Sequence, residues 1–230
     1  MITEERTQCI TLNGITYNAQ EIKELNQSVT DEPPVILRDL YAFLDDWYSP
    51  SPTLVVHTSG STGTPKPITA LKEQMIKSAQ LTCDYLQLRR GDTALLCMPL
   101  QYIAGKMMVV RALVAGLNLL IREPSGHPLA HLHSPLRFAA MIPLQVYNSL
   151  QNPAERQALC GIEQLIIGGG AINSALEEEI KTLPGAVYST YGMTETLSHI
   201  ALRRLNGPNA SSHYQPFEQV KLSLSDQGTL

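Results

Sequence analysis

Val55-Val56-His57-Thr58-Ser59-Gly60-Ser61-Thr62-Gly63-Thr64-Pro65-Lys66 is a β-branched run that passes directly into a loop of hydroxyls and glycines and ends in a lysine. Glycine takes positive φ at little cost and lets the backbone approach a ligand closely, so successive N–H groups can face one anion. Thr58, Ser59, Ser61 and Thr62 supply hydroxyl donors, Gly60 and Gly63 the conformational freedom, and Lys66 a full positive charge. Such a loop suits a polyphosphate. It is not the P-loop of ATPases and GTPases, which reads Gly-x-x-x-x-Gly-Lys-Ser/Thr. Counted from Gly60, the second glycine falls on Pro65 and the residue after the lysine is Pro67. The two prolines also forbid an immediate helix. A flexible Ser/Thr/Gly linker shares this composition, but linkers seldom follow a buried strand or end in Pro-Lys-Pro.

Outward from the loop, strand and helix signals alternate. Val35 to Tyr48 carries apolar residues at helical spacing and ends at Ser49-Pro50-Ser51-Pro52. Leu71 to Leu88 reads as an amphipathic helix and Ala94 to Met98 as a strand. Phe138 to Met141 begins a strand, Val146 to Leu150 a helix, and Gln164 to Ile167 a strand that ends in Gly168-Gly169-Gly170. Ser174 to Lys181 is a helix with Asn173 or Ser174 as N-cap, and Ala186 to Ser189 is a strand with a turn at Tyr191-Gly192. Before all these, a hairpin around Asn13-Gly14 and a polar stretch form an N-terminal extension. We divide the chain into this extension with its leading helix (1–50) and a core (51–230). The alternation predicts an α/β fold, a mostly parallel sheet with helices on both faces. Ligands of such sheets lie at the carboxyl ends of the strands, so the Thr58 loop, the glycine triplet and the Tyr191 segment should converge on one crevice.

Composition narrows the function. Of 230 residues, 43% are hydrophobic and 17% charged, which excludes general disorder. The formal charge is −4 and the basic residues cluster only as pairs, Arg89-Arg90 and Arg203-Arg204, which argues against nucleic acid. Cys9, Cys83, Cys97 and Cys160 have no ligand spacing and read as reduced thiols, and the N-terminus has no apolar signal core, so we expect a cytoplasmic protein. Tyr102 to Ile121 is about as long as a membrane span but holds Lys106, Arg111 and two glycines. It reads as a buried helix from Gly105 to Ala115, a turn at Gly116 and a short strand. His127, His131 and His133 lack zinc spacing and read as solvated; His57 reads as a histidine that backs the site residues or packs.

Tyr191-Gly192-Met193-Thr194-Glu195-Thr196 lies about 130 residues beyond the loop. Together the two segments resemble the paired signatures of the adenylate-forming (AMP-binding) superfamily of acyl- and aryl-CoA ligases, luciferases and peptide-synthetase adenylation domains. Thr58 to Lys66 matches that family's loop throughout, and its Tyr-Gly-x-Thr-Glu motif is complete here. The resemblance covers roughly Leu54 to Leu230 and implies the large N-terminal domain of such an enzyme. It implies ATP, Mg²⁺ and coenzyme A as reactants and cofactor. Thr58, Ser59, Gly60, Ser61, Thr62, Gly63 and Lys66 would hold the β- and γ-phosphates. Thr194 would meet the α-phosphate, with Gly192 and Met193 beside it, and Glu195 would hold Mg²⁺. Gly168, Gly169, Gly170 and Ala171 would border the adenine, with Tyr191 stacked on the base. Read on their own, the triplet is also a tight turn, Tyr191 a core residue and Glu195 a helix cap.

Met98 to Gly105, followed by Val110 to Gly116, resembles the acyl-pocket segment of o-succinylbenzoate–CoA ligases of menaquinone synthesis. It departs from them at Gln101-Tyr102, where those enzymes carry histidine. This resemblance implies that Tyr102, Arg111, Ser198 and His199 bind the acid. A buried arginine needs an anionic partner; a second substrate carboxylate would serve, and so would a protein carboxylate. Enzymes of this family continue into a ribose-binding aspartate, a hinge and a mobile C-terminal lid. None is found before Leu230, so the resemblance implies a fragment impaired in the thioester step. Another acyl- or aryl-CoA ligase, or a non-catalytic nucleotide-binding remnant, stays open, as does a homo-oligomeric state.

Overall fold

A computed structural model describes residues 9–27, 33–57 and 66–225. Its main sheet has nine strands in the order β11-β10-β9-β8-β7-β5-β6-β1-β2. The strands are β1 (Cys9–Leu12), β2 (Ile15–Asn18), β5 (Thr93–Leu96), β6 (Asn118–Ile121), β7 (Leu136–Met141), β8 (Ile162–Ile167), β9 (Ala186–Gly192), β10 (His199–Arg204) and β11 (Gln215–Pro216). From β9 across to β1 every neighbouring pair is parallel. The two margins, β9-β10-β11 and β1-β2, are antiparallel.

The side-chain period of two decides which helices cover which face. Ala94, Leu96, Phe138, Ala140 and Ile166 face α1 (Ala19–Gln27), α2 (Val35–Tyr48), α3 (Lys72–Tyr85) and α4 (Ile103–Ala115). Leu95, Ala139, Met141, Leu165 and Ile167 face α5 (Pro143–Gln151), α6 (Pro153–Cys160) and α7 (Ser174–Ile180). Both faces are therefore covered, as the near-continuous apolar runs of the parallel strands require. The mixed, mostly parallel α/β architecture read from the alternation is the one observed.

Local signals hold in detail. Asn13 and Gly14 take φ of 48° and 87°, the left-handed pair that a two-residue hairpin needs. The hairpin joins the main sheet, because β1 pairs in parallel with β6 and Asn13 Oδ1 accepts from the Ile121 amide at 3.0 Å. The polar residues after it form α1, which burial of Ile22 pins to the core. Helix α4 ends where expected: Gly116 (φ 68°) is its left-handed cap, and the chain turns into β6. Among the described residues no helix is long and apolar enough to cross a membrane.

Two expectations change. The strand before the hydroxyl-rich loop, β3 (Thr53–His57), leaves the main sheet and pairs antiparallel with β4 (Pro67–Leu71). Its alternating burial, with Leu54 and Val56 inside and Val55 and His57 outside, fits a two-stranded flap with one covered face. Strand β9 also runs on through Tyr191 and Gly192; the turn comes after them, at residues 193–198.

Candidate active site

A cavity of about 510 Å³ opens at the carboxyl ends of β5, β7, β8 and β9. Its size suits a small organic ligand. Met98 and Pro99 follow β5, Met141 and Ile142 end β7, Gly168 and Gly169 follow β8, and Thr190 and Gly192 close β9. Two of the three convergent segments therefore meet as expected. The third, residues 58–65, lies outside the described residues, so Thr58, Ser59, Gly60, Ser61, Thr62 and Gly63 do too. Its flanks are described: His57 lines the cavity and pairs with Pro67, and it bridges to Tyr102. Lys66 is exposed.

One wall is buried and polar. Arg111, on α4 and only 2% exposed, lines the cavity. Its Nη2 donates to Ser198 Oγ at 2.6 Å, Nη1 reaches Met108 Sδ at 3.8 Å, and Nε has no partner. Burial pushes its pKa down to about 10. Among the described residues no carboxylate forms an ion pair with it. Next to it, His199 on β10 is buried, with Nδ1 3.3 Å from Ser198 Oγ and Nε2 3.0 Å from Thr82 Oγ1. Its pKa is held well below the usual 6.5, first by burial and then by the charge of Arg111. Tyr102, at the N-cap of α4 and 41% exposed, stands at the mouth. Arg111, Ser198, His199 and Tyr102, separate in sequence, thus share one cavity.

The other wall is glycine and exposed backbone. A Cβ on Gly168 would run into Thr190 Oγ1, so glycine lets the β8 turn lie against β9 with the Thr190 side chain where it is. Gly168 and Gly169 line the cavity; Gly170 and Ala171 are exposed at its margin, and Gly170 sits against Pro143. A Cβ on Gly192 would meet the Ser198 carbonyl and the backbone of His199. That close approach folds the 193–198 turn back onto β9. The turn is closed by Thr196 Oγ1, which accepts from the Met193 amide at 3.0 Å, and by the Leu197 amide bonding Thr194 O at 2.9 Å. Thr194 is buried and lines the cavity, as does exposed Met193. Glu195 stands exposed on the turn. No helix starts here, so the capping role open to Glu195 falls away. Tyr191 is exposed, with its ring 5.7 Å from that of Tyr214, and so is not a core residue.

Among the described residues no group of three or more His, Cys, Asp or Glu side chains could hold a metal. A single exposed carboxylate beside the cavity fits Mg²⁺, which takes one or two protein carboxylates together with substrate phosphates and water.

Sequence reading missed Thr82. It falls on α3 with Met75, Ala79 and Cys83, the buried stripe of that helix, so a hydroxyl at helical spacing among apolar positions was its signal. His127, read as solvated, is exposed and also bonds the buried Glu155 carboxylate at 2.7 Å.

The model of a family described as AMP-binding enzyme matches residues 5–229. The chain is 27% identical over 165 residues to 2-succinylbenzoate–CoA ligase of Escherichia coli (strain K12), which covers 72% of this chain but 35% of that relative. It is 38% identical, at a TM-score of 0.83, to an acyl-CoA synthetase (AMP-forming)/AMP-acid ligase II-like protein of Dyadobacter fermentans, covering 92% of this chain and 60% of that one. The O-succinylbenzoate coenzyme A synthetase of Bacillus subtilis, solved with ATP and magnesium ion, shares the fold at a TM-score of 0.62 and 22% identity over 76% of this chain and 38% of that one. The chain therefore spans about a third of the length of the curated ligase it matches. It belongs to the AMP-binding enzyme family.

Proposed function

From that membership we propose that this chain takes part in AMP-forming activation of a carboxylic acid: the acid attacks the α-phosphorus of ATP, pyrophosphate leaves, and the acyl-adenylate passes its acyl group to the thiol of coenzyme A, releasing AMP. We assign the acid as o-succinylbenzoate. The observation that carries this choice is Arg111, a buried guanidinium in the cavity wall with one unpaired N–H and no carboxylate ion pair among the described residues. A buried cation is costly until an anion meets it. An acid with a second carboxylate supplies that anion while its first carboxylate reacts. Ser198 holds the guanidinium, His199 backs Ser198, and Tyr102 closes the mouth.

In this reading, residues 58–66 hold the β- and γ-phosphates, with Lys66 their cation. Thr194 meets the α-phosphate, Glu195 takes Mg²⁺, and Gly168 to Ala171 with Tyr191 hold the adenine. When bound, Mg²⁺ neutralises charge that builds on the leaving pyrophosphate. The protein supplies fixed donors, so little reorganisation is needed as charge develops.

Titration calorimetry of this chain with o-succinylbenzoate and with benzoate, repeated on Arg111→Ala, tests the assignment. We expect the substitution to weaken o-succinylbenzoate about 10–100-fold, the range of one charge-assisted contact, and benzoate hardly at all. Equal losses on both acids would assign the chain to another acyl- or aryl-CoA ligase.

A further inference from the structure

The buried wall holds a chain of four polar side chains drawn from three elements and the turn before β10. Arg111 Nη2 donates to Ser198 Oγ at 2.6 Å. Ser198 Oγ lies 3.3 Å from His199 Nδ1, and His199 Nε2 lies 3.0 Å from Thr82 Oγ1. Thr82 Oγ1 in turn donates back to the Ser78 carbonyl, one helical turn earlier, at 3.4 Å. Thr82, Arg111 and His199 are all buried.

Counting hydrogens gives the chain a direction. Arg111 only donates, so Ser198 accepts from it and is free to donate its own hydrogen to His199 Nδ1. His199 is then neutral with its hydrogen on Nε2, donating to Thr82, whose hydroxyl donates to Ser78. Every hydroxyl and imidazole hydrogen of the chain then has an acceptor. In the reverse order Thr82 donates to Nε2, Nδ1–H donates to Ser198, and the Ser198 hydrogen has no acceptor among the described residues.

We infer that Thr82 is a positioning residue for acid selection: through the His199 tautomer it orients the Ser198 hydroxyl and so fixes the guanidinium of Arg111 in the cavity wall. Thr82 does not line the cavity. Its influence on the acid passes entirely through the other three. This rests on the proposal that Arg111 meets a substrate carboxylate.

The test joins a spectroscopic readout to a binding one. Long-range ¹H–¹⁵N spectra of wild-type imidazoles should show one buried histidine, assigned by its loss in His199→Gln, as the neutral Nε2–H tautomer. Finding Nδ1–H there would overturn the inference without any Thr82 variant. Thr82→Val should blur that tautomer signature and weaken o-succinylbenzoate about tenfold, with benzoate and ATP unaffected, and Thr82→Ser should restore both. If Arg111→Ala abolishes the preference for o-succinylbenzoate but Thr82→Val leaves it and the tautomer unchanged, the positioning role falls and the acid assignment stands. If Arg111→Ala leaves the preference unchanged, the assignment falls, and the selection role of Thr82 with it.

Discussion

The two walls of the cavity solve the same electrostatic task in opposite ways. On the buried wall, where we propose that the acid binds, Arg111, Ser198, His199 and Thr82 come from α4, the turn before β10, β10 and α3, and bond one another inside the protein, with Arg111 Nε left over. On the other wall, proposed for the nucleotide, Tyr191, Met193 and Glu195 stand exposed on a strand end and a turn, and Gly168 and Gly169 offer backbone. A buried polar group must find a protein partner, because the alternative costs about 1–3 kcal/mol. An exposed one is solvated by water until a ligand replaces it. The acid wall is thus preorganised and coupled to the core, whereas the nucleotide wall is coupled mainly to its ligand.

The widest difference should appear at Arg111. Arg111→Met keeps the volume and removes a buried charge that lacks a full set of partners. It should cost o-succinylbenzoate about 10–100-fold in affinity, yet leave the melting temperature at or above that of the wild type, because burying an incompletely paired ion is itself costly. A lower melting temperature in a thermal scan would mean that the protein, not the ligand, satisfies the guanidinium. Lys66 lies on the other side of the comparison. Lys66→Ala should weaken ATP·Mg²⁺ about tenfold, the scale of a charge-assisted contact, and leave o-succinylbenzoate binding alone in the same calorimeter.

The third effect is one of pH. His199 has a folded pKa well below 6.5, so below about pH 6.5 the unfolded chain binds more protons than the folded one. Stability should therefore fall as the pH drops through that value, by up to about 1.4 kcal/mol per pH unit for a single proton. His199→Gln should lack this part of the slope in urea unfolding between pH 7.5 and 5; equal slopes would show that the imidazole titrates normally. The smallest effect on the fold should be at Glu195. Glu195→Gln should change unfolding free energy by less than about 0.5 kcal/mol, as for other exposed substitutions, while raising the magnesium needed for ATP binding. A stability loss without a change in magnesium dependence would make Glu195 structural and blur the contrast between the walls.

The residues we propose for the nucleotide wall stood out in the chain because they are contiguous. Tyr191 to Thr196 and Gly168 to Ala171 are runs whose pattern suggested their proposed roles, and two of the glycines answer to contacts seen in the fold: Gly168 against Thr190, Gly192 against Ser198 and His199. The acid wall was legible only in part. Arg111 stood out as a charge among the apolar residues Met107 to Val114, but its partners lie 87 residues away at Ser198 and, through His199, at Thr82 on another helix. Thr82 looked like one more small residue on an amphipathic face. The sheet assignment of β3 was out of reach for a similar reason. Its alternation gives a strand with one covered face, but not which strand pairs with it.

The sequence by itself determined the local elements that depend on near neighbours: the left-handed hairpin turn at Asn13-Gly14, the run of α4 to its cap at Gly116, an N-cap at Asn173 or Ser174 and the alternation that makes a parallel sheet. These rest on φ preferences, capping bonds and periodicity, all of which act over a few residues. Only the tertiary structure decided that β3 pairs with β4, that β9 runs through Tyr191, and that Arg111 meets Ser198 and, among the described residues, no carboxylate. Those outcomes depend on which distant groups are buried together. The cost of leaving a buried donor unpaired is paid between elements, and no short stretch of sequence records it.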